Sequence, residues 1–311
     1  MRGWKRAAAE TRIKAFASYR SAWQFAGPTD VFKSLFAKHK AAFGAAMAEL
    51  ELPAAFFQVP YKGKQLPGVF YQNPNKSAPV VLIVGGADTC MEDLFLTVGR
   101  SFFDRGYSVA LVDLPGQGIT QADGLHWEVE AEKPVSATVD LLIERFGAKP
   151  GRIAMIGMSL GGYFAARAAG YEKRFATVIA STPFPSPAQL FSLSAQSAMS
   201  EKQTPSQAAT RSRQVTFWKI GAKTAQDFLQ LSSGMNADPK LVSVPFLSVL
   251  GGGDSPVFAA QARGWHRDIL SERKRFVLLD AASGADGHVQ VNNRLRLVQE
   301  SVGWMDEIFA S

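Results

Sequence analysis

The chain has 311 residues, 47% of them apolar, and a formal net charge of +7. That is enough to bury a large core, while the longest apolar runs, such as Val80 to Gly86, fall far short of the roughly 18 residues a membrane span needs. The basic residues form no block and no basic-aromatic repeat, which excludes a nucleic-acid-binding face; one cysteine, Cys90, and four histidines without paired spacing exclude disulfides and the usual metal sites.

Residues 1–55 are expected to form a helical N-terminal region. Large apolar groups recur there at helical spacing (Ile13, Phe16, Tyr19, Trp23, then Phe32, Leu35, Phe36, Phe43, Met47), broken at GPTD, residues 27–30. Arg2, Lys5 and Arg6 are followed at once by Glu10, Arg12 and Lys14, so no apolar signal segment develops. A basic organelle presequence is the rival reading, and a cytoplasmic location is the expectation. From Phe57 to Tyr71 short strands around KGKQLPG read as an antiparallel hairpin.

Beyond Ala78, β-rich runs alternate with helical segments. Strands are predicted at 80–86, 107–113, 152–158, 175–181, 245–251 and 275–280, and helices at 91–105, 135–146, 160–169, 257–270 and 289–309. Continuous apolar strands alternating with helices imply a mostly parallel sheet covered on both faces. The rhythm fails between Ser181 and Val244. A structureless loop of that length inside a compact domain is improbable, so 182–243 is read as a helical cap insertion in a core formed by 56–181 and 244–311.

In a parallel sheet, ligands gather at the carboxyl ends of the strands, and that rule sorts the candidate residues. Ser159 follows RIAMIGM and precedes a helix, between Gly157 and Gly161, which is the strand-turn-helix setting of a nucleophile elbow. A serine hydroxyl needs a base, and the base an orienting acid. His288, in the loop SGADGH after the last strand, returns to the active edge; His266, at the far end of its helix, should lie toward the opposite face. Asp254, directly after PFLSVLG, is the expected acid, with Asp280 and Asp286 as rivals and a helix N-cap as its alternative role. Leu160 N–H and a donor from Gly86 or Ala87 are the expected oxyanion donors.

Together GMSLGG, LGGGD and GADGH resemble the triad segments of the α/β-hydrolase fold over about residues 57–311. VGGADTCMED, VDLPGQG and GMSLGGYFAARAA are similar to the FrsA-like and 2,6-dihydroxypseudooxynicotine hydrolase group, some members of which cleave carbon-carbon bonds of β-diketone-like substrates. An acidic residue after the glycine pair belongs to that group's pattern. The resemblance gives Asp88 a substrate-binding or proton-donating role, against the alternative of an N-cap for the helix beginning at Met91.

The function expected is a serine hydrolase cleaving an ester, thioester or similar acyl bond of a hydrophobic or aromatic small molecule. Carbon-carbon hydrolysis and acyl transfer are the chemical alternatives, and a ligand-binding regulatory module is the non-enzymatic one. No cofactor and no metal are expected. The partners are a small-molecule substrate, no nucleic acid, no membrane span, and a homodimer as an open option.

Overall fold

The computed structural model describes residues 2–200 and 205–310, with nothing stated of side chains at Arg2 and 194–200. Residues 201–204 of the expected cap therefore lie outside the described residues.

Two helices open the chain, α1 (Arg2–Gln24) and α2 (Asp30–Glu49), separated at the predicted break. Thr29 caps α2 by accepting from Phe32 N–H, and Asp30 complements the helix dipole in the first turn. The hairpin follows as β1 (Ala54–Tyr61) and β2 (Lys64–Tyr71), antiparallel as expected. Then come β3 (Val80–Val84), α3 (Met91–Leu94), a π-helical turn over Phe95–Gly99, α4 (Arg100–Phe103) and β4 (Ser108–Val112). The single helix expected over 91–105 is thus one α-helical path widened by a π turn.

The rest of the core is α5 (Glu132–Phe146), β5 (Ile153–Met158), α6 (Leu160–Tyr171) and β6 (Phe175–Ser181). Between β6 and β7 (Phe246–Gly251) stand α7 (Pro187–Ser200), α8 (Gln207–Ile220) and α9 (Ala225–Ser232), so the strandless interval is helical where it is described. The chain closes with α10 (Pro256–Asp268), β8 (Lys274–Leu279) and α11 (Arg294–Phe309), the last beginning five residues later than its periodicity suggests.

Among the described residues the strands form one sheet in the order β1-β2-β4-β3-β5-β6-β7-β8, parallel from β4 to β8. Side chains alternate across it, as the two-residue strand period requires. Val80, Leu82 and Val84 pack with α5, α6 and Trp265 of α10, whereas Val81 and Ile83 pack with α2, the α3–α4 path and α11. Helices therefore cover both faces. The strand order reverses at β3 and β5, so the chain segments leaving these neighbours at their carboxyl ends open a crevice.

Three cap aromatics close against the core. Phe191 lies 6.1 Å from Trp127 in a stacked pair and 5.0 Å from Phe228, which in turn stacks on Phe217 at 5.2 Å. Burial of such rings, with Val215, Ile220 and Met235 also buried, drives the docking of this helical segment.

Candidate active site

Ser159 stands between the buried strand β5 and the first residue of α6, with φ 59° and ψ −121°. Such a backbone is costly for a residue with a side chain and persists only when its surroundings hold it. Two contacts do so. Gly157 lets the strand meet the helix, since a Cβ there would sit 1.9 Å from Gly161 O, and Ser159 N–H donates to Ser181 O on the neighbouring strand at 3.1 Å.

The hydroxyl so presented lies 2.9 Å from His288 Nε2, and His288 Nδ1 lies 2.7 Å from Asp254 Oδ1. The Asp254 side chain is 2% exposed and that of His288 36%, so the carboxylate is sealed while the imidazole is partly exposed. The second carboxylate oxygen is also occupied: Thr182 Oγ1 donates to Asp254 Oδ2 at 2.7 Å. Thr182 too has a left-handed backbone, φ 58°, pinned by its N–H to Val249 O at 2.7 Å. The His288 ring stacks on Phe258 at 4.9 Å, and Phe258 meets Phe184 edge-on.

The rival acids are used elsewhere. Asp280 accepts from Ser283 N–H at 3.0 Å, capping a short turn, and Asp286 Oδ1 accepts from Asn292 Nδ2 at 3.0 Å. The N-cap of α10 is Ser255 and not Asp254. His266 packs against Phe276, where burial holds it below the usual histidine range. The loop carrying His288 continues through two left-handed residues, Val289 (φ 47°) and Gln290 (φ 55°). It is tied down where Ser181 Oγ donates to Gln290 Oε1 at 2.8 Å.

The segment after β3 passes beside the serine. A Cβ on Gly86 would come within 2.8 Å of Ser159 Cβ, so only glycine allows this approach. Its carbonyls are held from three directions. Gln117 Nε2 donates to Gly85 O at 2.7 Å and Gly86 O at 2.9 Å, Lys219 Nζ from α8 donates to Ala87 O, and Arg20 from α1 donates to Asp88 O. Leu160 opens α6, where the first N–H groups have no partner within the helix.

Asp88 does not cap the helix at Met91. The N-cap is Cys90, and Met91 N–H goes to Asp113 Oδ1 at 2.7 Å. The Asp88 carboxylate instead pairs with Lys219 at 2.7 Å; it is 61% exposed, and the lysine 5%. Burial pushes the Lys219 ammonium below its ordinary range, although Asp88 opposes this.

Among the described residues, one group could hold a metal ion: His39, Cys90 and Glu92, all buried, with their ligand atoms within 4.8 Å of one another. Burial raises the Glu92 carboxyl, but His39, 3.5 Å away, together with hydrogen bonds from the backbone and Cys90, holds the acid below its usual value. His39, beside Glu92, is enclosed by the rings of Phe16, Trp23 and Phe36.

The structure thus brings Ser159, His288 and Asp254 together in one hydrogen-bonded line, with Gly86 against the serine and Leu160 at the start of its helix. Thr182, Gln117, Lys219 and Arg20 carried no signal in the sequence: each acts through a partner 31 to 132 positions away.

A family model described as serine aminopeptidase, S33, matches residues 74–283. Among curated proteins, the chain is 33% identical over 140 residues to the hydrolyase poxO of Penicillium oxalicum, covering 42% of this chain and 33% of that one. It is 33% identical over 171 residues to the hydrolase phmG of Phaeosphaeria nodorum, covering 47% and 37%. These matches span about a third of the relatives' own length. The solved structure of 2,6-dihydroxy-pseudo-oxynicotine hydrolase superposes with a TM-score of 0.72 at 20% identity, over 99% of this chain and 86% of that one. AbyA5 superposes with a TM-score of 0.67 at 18% identity, over 97% and 88%.

Proposed function

The chain belongs to the serine aminopeptidase S33 family of α/β-hydrolase enzymes, and from that premise we propose that it cleaves an ester, thioester or similar acyl bond of a hydrophobic or aromatic small molecule. The observation that carries this reading is the unbroken pair of hydrogen bonds from Ser159 Oγ to His288 at 2.9 Å and from His288 to Asp254 at 2.7 Å.

Each step follows from that geometry. His288 Nε2 takes the hydroxyl proton as Ser159 Oγ attacks the carbonyl carbon. Asp254 stabilises the imidazolium that forms, and Thr182 keeps its carboxylate turned toward Nδ1. Leu160 N–H and Ala87 N–H, with Gly86 as the close-packed neighbour, receive the developing oxyanion, a term worth roughly 3 to 4 kcal/mol per donor. The tetrahedral intermediate collapses, the imidazolium gives its proton to the leaving group, and an acyl-Ser159 remains. Water, deprotonated by His288, then releases the acid. The ring-rich cap, Phe191, Phe217 and Phe228 against Trp127, favours apolar substrates.

A second reading, carbon-carbon hydrolysis of a β-diketone, is favoured by one observation. Asp88 and the buried Lys219 hold an exchangeable proton beside the segment that passes the serine. In that reaction the bond broken after serine attack leaves an enolate carbon, which needs such a proton.

The test is labelling with a fluorophosphonate probe alongside turnover of p-nitrophenyl butyrate and a simple aryl β-diketone. Wild type should label and Ser159→Ala should not; persistent labelling of the variant refutes the nucleophile. Faster turnover of the diketone, lost in Asp88→Asn, would select the second reading.

A further inference from the structure

The turn after β4, Leu114 to Gly118, contains a side chain whose amide oxygen and nitrogen are all bonded to backbone. Gln117 is 1% exposed. Its Oε1 accepts from Leu114 N–H at 3.0 Å, fixing which way the amide faces, and its Nε2 donates one hydrogen to Gly85 O at 2.7 Å and the other to Gly86 O at 2.9 Å. Its own N–H bonds to Leu114 O at 2.9 Å and Thr120 Oγ1 at 3.0 Å. The amide can neither flip nor swing without breaking several buried bonds.

Its two acceptors are the carbonyls that decide where the next two N–H groups point. A trans peptide is planar, so the oxygen of residue 85 and the N–H of residue 86 lie on opposite sides, as do the oxygen of 86 and the N–H of 87. β3 ends at Val84, so no strand ladder orients these two units. Among the described residues the other side-chain donor to them is Thr89 Oγ1, at a long 3.4 Å from Gly86 O. Gly86 itself lies against the serine: a Cβ placed on it would lie 3.3 Å from Ser159 Oγ.

We propose that Gln117 is a positioning residue for the oxyanion hole, aiming the Ala87 N–H by holding the Gly85 and Gly86 carbonyls before it. The inference rests on the reading of Ser159 as nucleophile. Glutamine is suited to the task because it carries two donors on one atom at the end of a chain long enough to cross from the β4 turn to the β3 loop. Methionine has the length without the donors, asparagine the donors without the length, and glutamate would set a carboxylate against two carbonyl oxygens.

The experiment compares wild type, Gln117→Met, Gln117→Asn and Gln121→Met for hydrolysis of p-nitrophenyl butyrate, inhibition by an alkyl trifluoromethyl ketone, and thermal midpoint. Gln121 is the control: it is buried in the following turn, but its amide donates to Gly118 O at 2.9 Å. Both Gln117 variants should lose about a hundredfold in kcat, the scale of one oxyanion donor, with KM within about threefold. Affinity for the ketone, which forms a tetrahedral oxyanion on the serine, should fall in parallel with kcat. Gln121→Met should keep kcat within about threefold, whatever its melting point. Either Gln117 variant keeping wild-type kcat and ketone affinity overturns the inference, as does a loss matched by Gln121→Met at equal destabilisation. If one Gln117 variant fails to fold, the other decides. A wild type that neither labels with fluorophosphonate nor binds the ketone would instead remove the serine hydrolase reading, and this inference with it.

Discussion

Thr182 donates its hydroxyl to Asp254 Oδ2 at 2.7 Å from a backbone in the left-handed region. The residue after a β-strand has been bent into an unfavoured conformation, and what it gains is a partner for the far oxygen of a sealed carboxylate. Thr182→Val keeps the shape and removes the donor. Because a hydrogen bond to a buried charge is worth about 1.5–3 kcal/mol, kcat/KM should fall at least about tenfold while the fold persists; steady-state kinetics beside circular dichroism checks it.

Asp254→Asn should lower kcat by about four orders of magnitude, because the amide favours the wrong histidine tautomer. Asp280→Asn should stay within about threefold of wild type, since Asp280 caps a turn and does not touch His288. Turnover of p-nitrophenyl butyrate distinguishes them, and the reverse ranking would reassign the acid.

Gly86→Ala should be among the most damaging one-carbon changes. The added methyl would start 2.8 Å from Ser159 Cβ and 3.1 Å from Met158 O, so either the serine turn or the β3 loop must retreat. A loss of about a hundredfold in kcat is expected, with a melting point close to wild type.

Asp113 offers a test by pH. Burial raises its carboxyl well above the ordinary aspartate value, nearby Glu92 adds to this, and the Met91 N–H opposes it. Between the ordinary and the raised pKa the folded protein therefore holds a proton that the unfolded chain has lost. The stability from this group is full below the ordinary value and is lost as pH rises through the folded one. Asp113→Asn keeps an oxygen for Met91 N–H and removes the titration. In urea melts its stability relative to wild type should increase as pH rises across that window; a difference independent of pH would contradict the protonated state.

Arg167 forms two hydrogen bonds to Glu132, at 2.8 and 2.9 Å, joining α6 to α5 with both side chains nearly buried. Removing one partner strands the other charge, so Arg167→Met should cost about 3 kcal/mol. Thermal denaturation should show the loss while kcat per folded molecule stays unchanged, because nothing in this pair touches Ser159 or His288.

Strand positions and site residues were legible to different depths. Continuous apolar runs marked the parallel strands, and the ends of those runs marked Ser159, Asp254 and His288, since position at a strand's carboxyl end is a local property. Choosing Asp254 over Asp280 also needed only local order. Asp88 was less legible: its sequence neighbours suggest a helix cap, but the backbone takes Asp113 from the next strand as the partner of Met91 N–H and leaves Asp88 for Lys219. Lys219 stands in VTFWKI, where the apolar neighbours suggest burial but not which partner the ammonium finds. Gln117 falls within a recognisable turn, yet its partners are two carbonyls, and backbone atoms leave no trace in residue identity.

One residue on β6 gives the whole arrangement a common origin. Ser181 accepts the Ser159 amide with its carbonyl and holds Gln290, two positions past His288, with its hydroxyl. The Ser159 hydroxyl and the His288 imidazole are thus both measured from the same point of the rigid sheet, not from each other across solvent. Their spacing works like two fittings drilled from one jig. The loops that carry them can lengthen or change composition, and the helices above can shift, without resetting the distance between that hydroxyl and the imidazole.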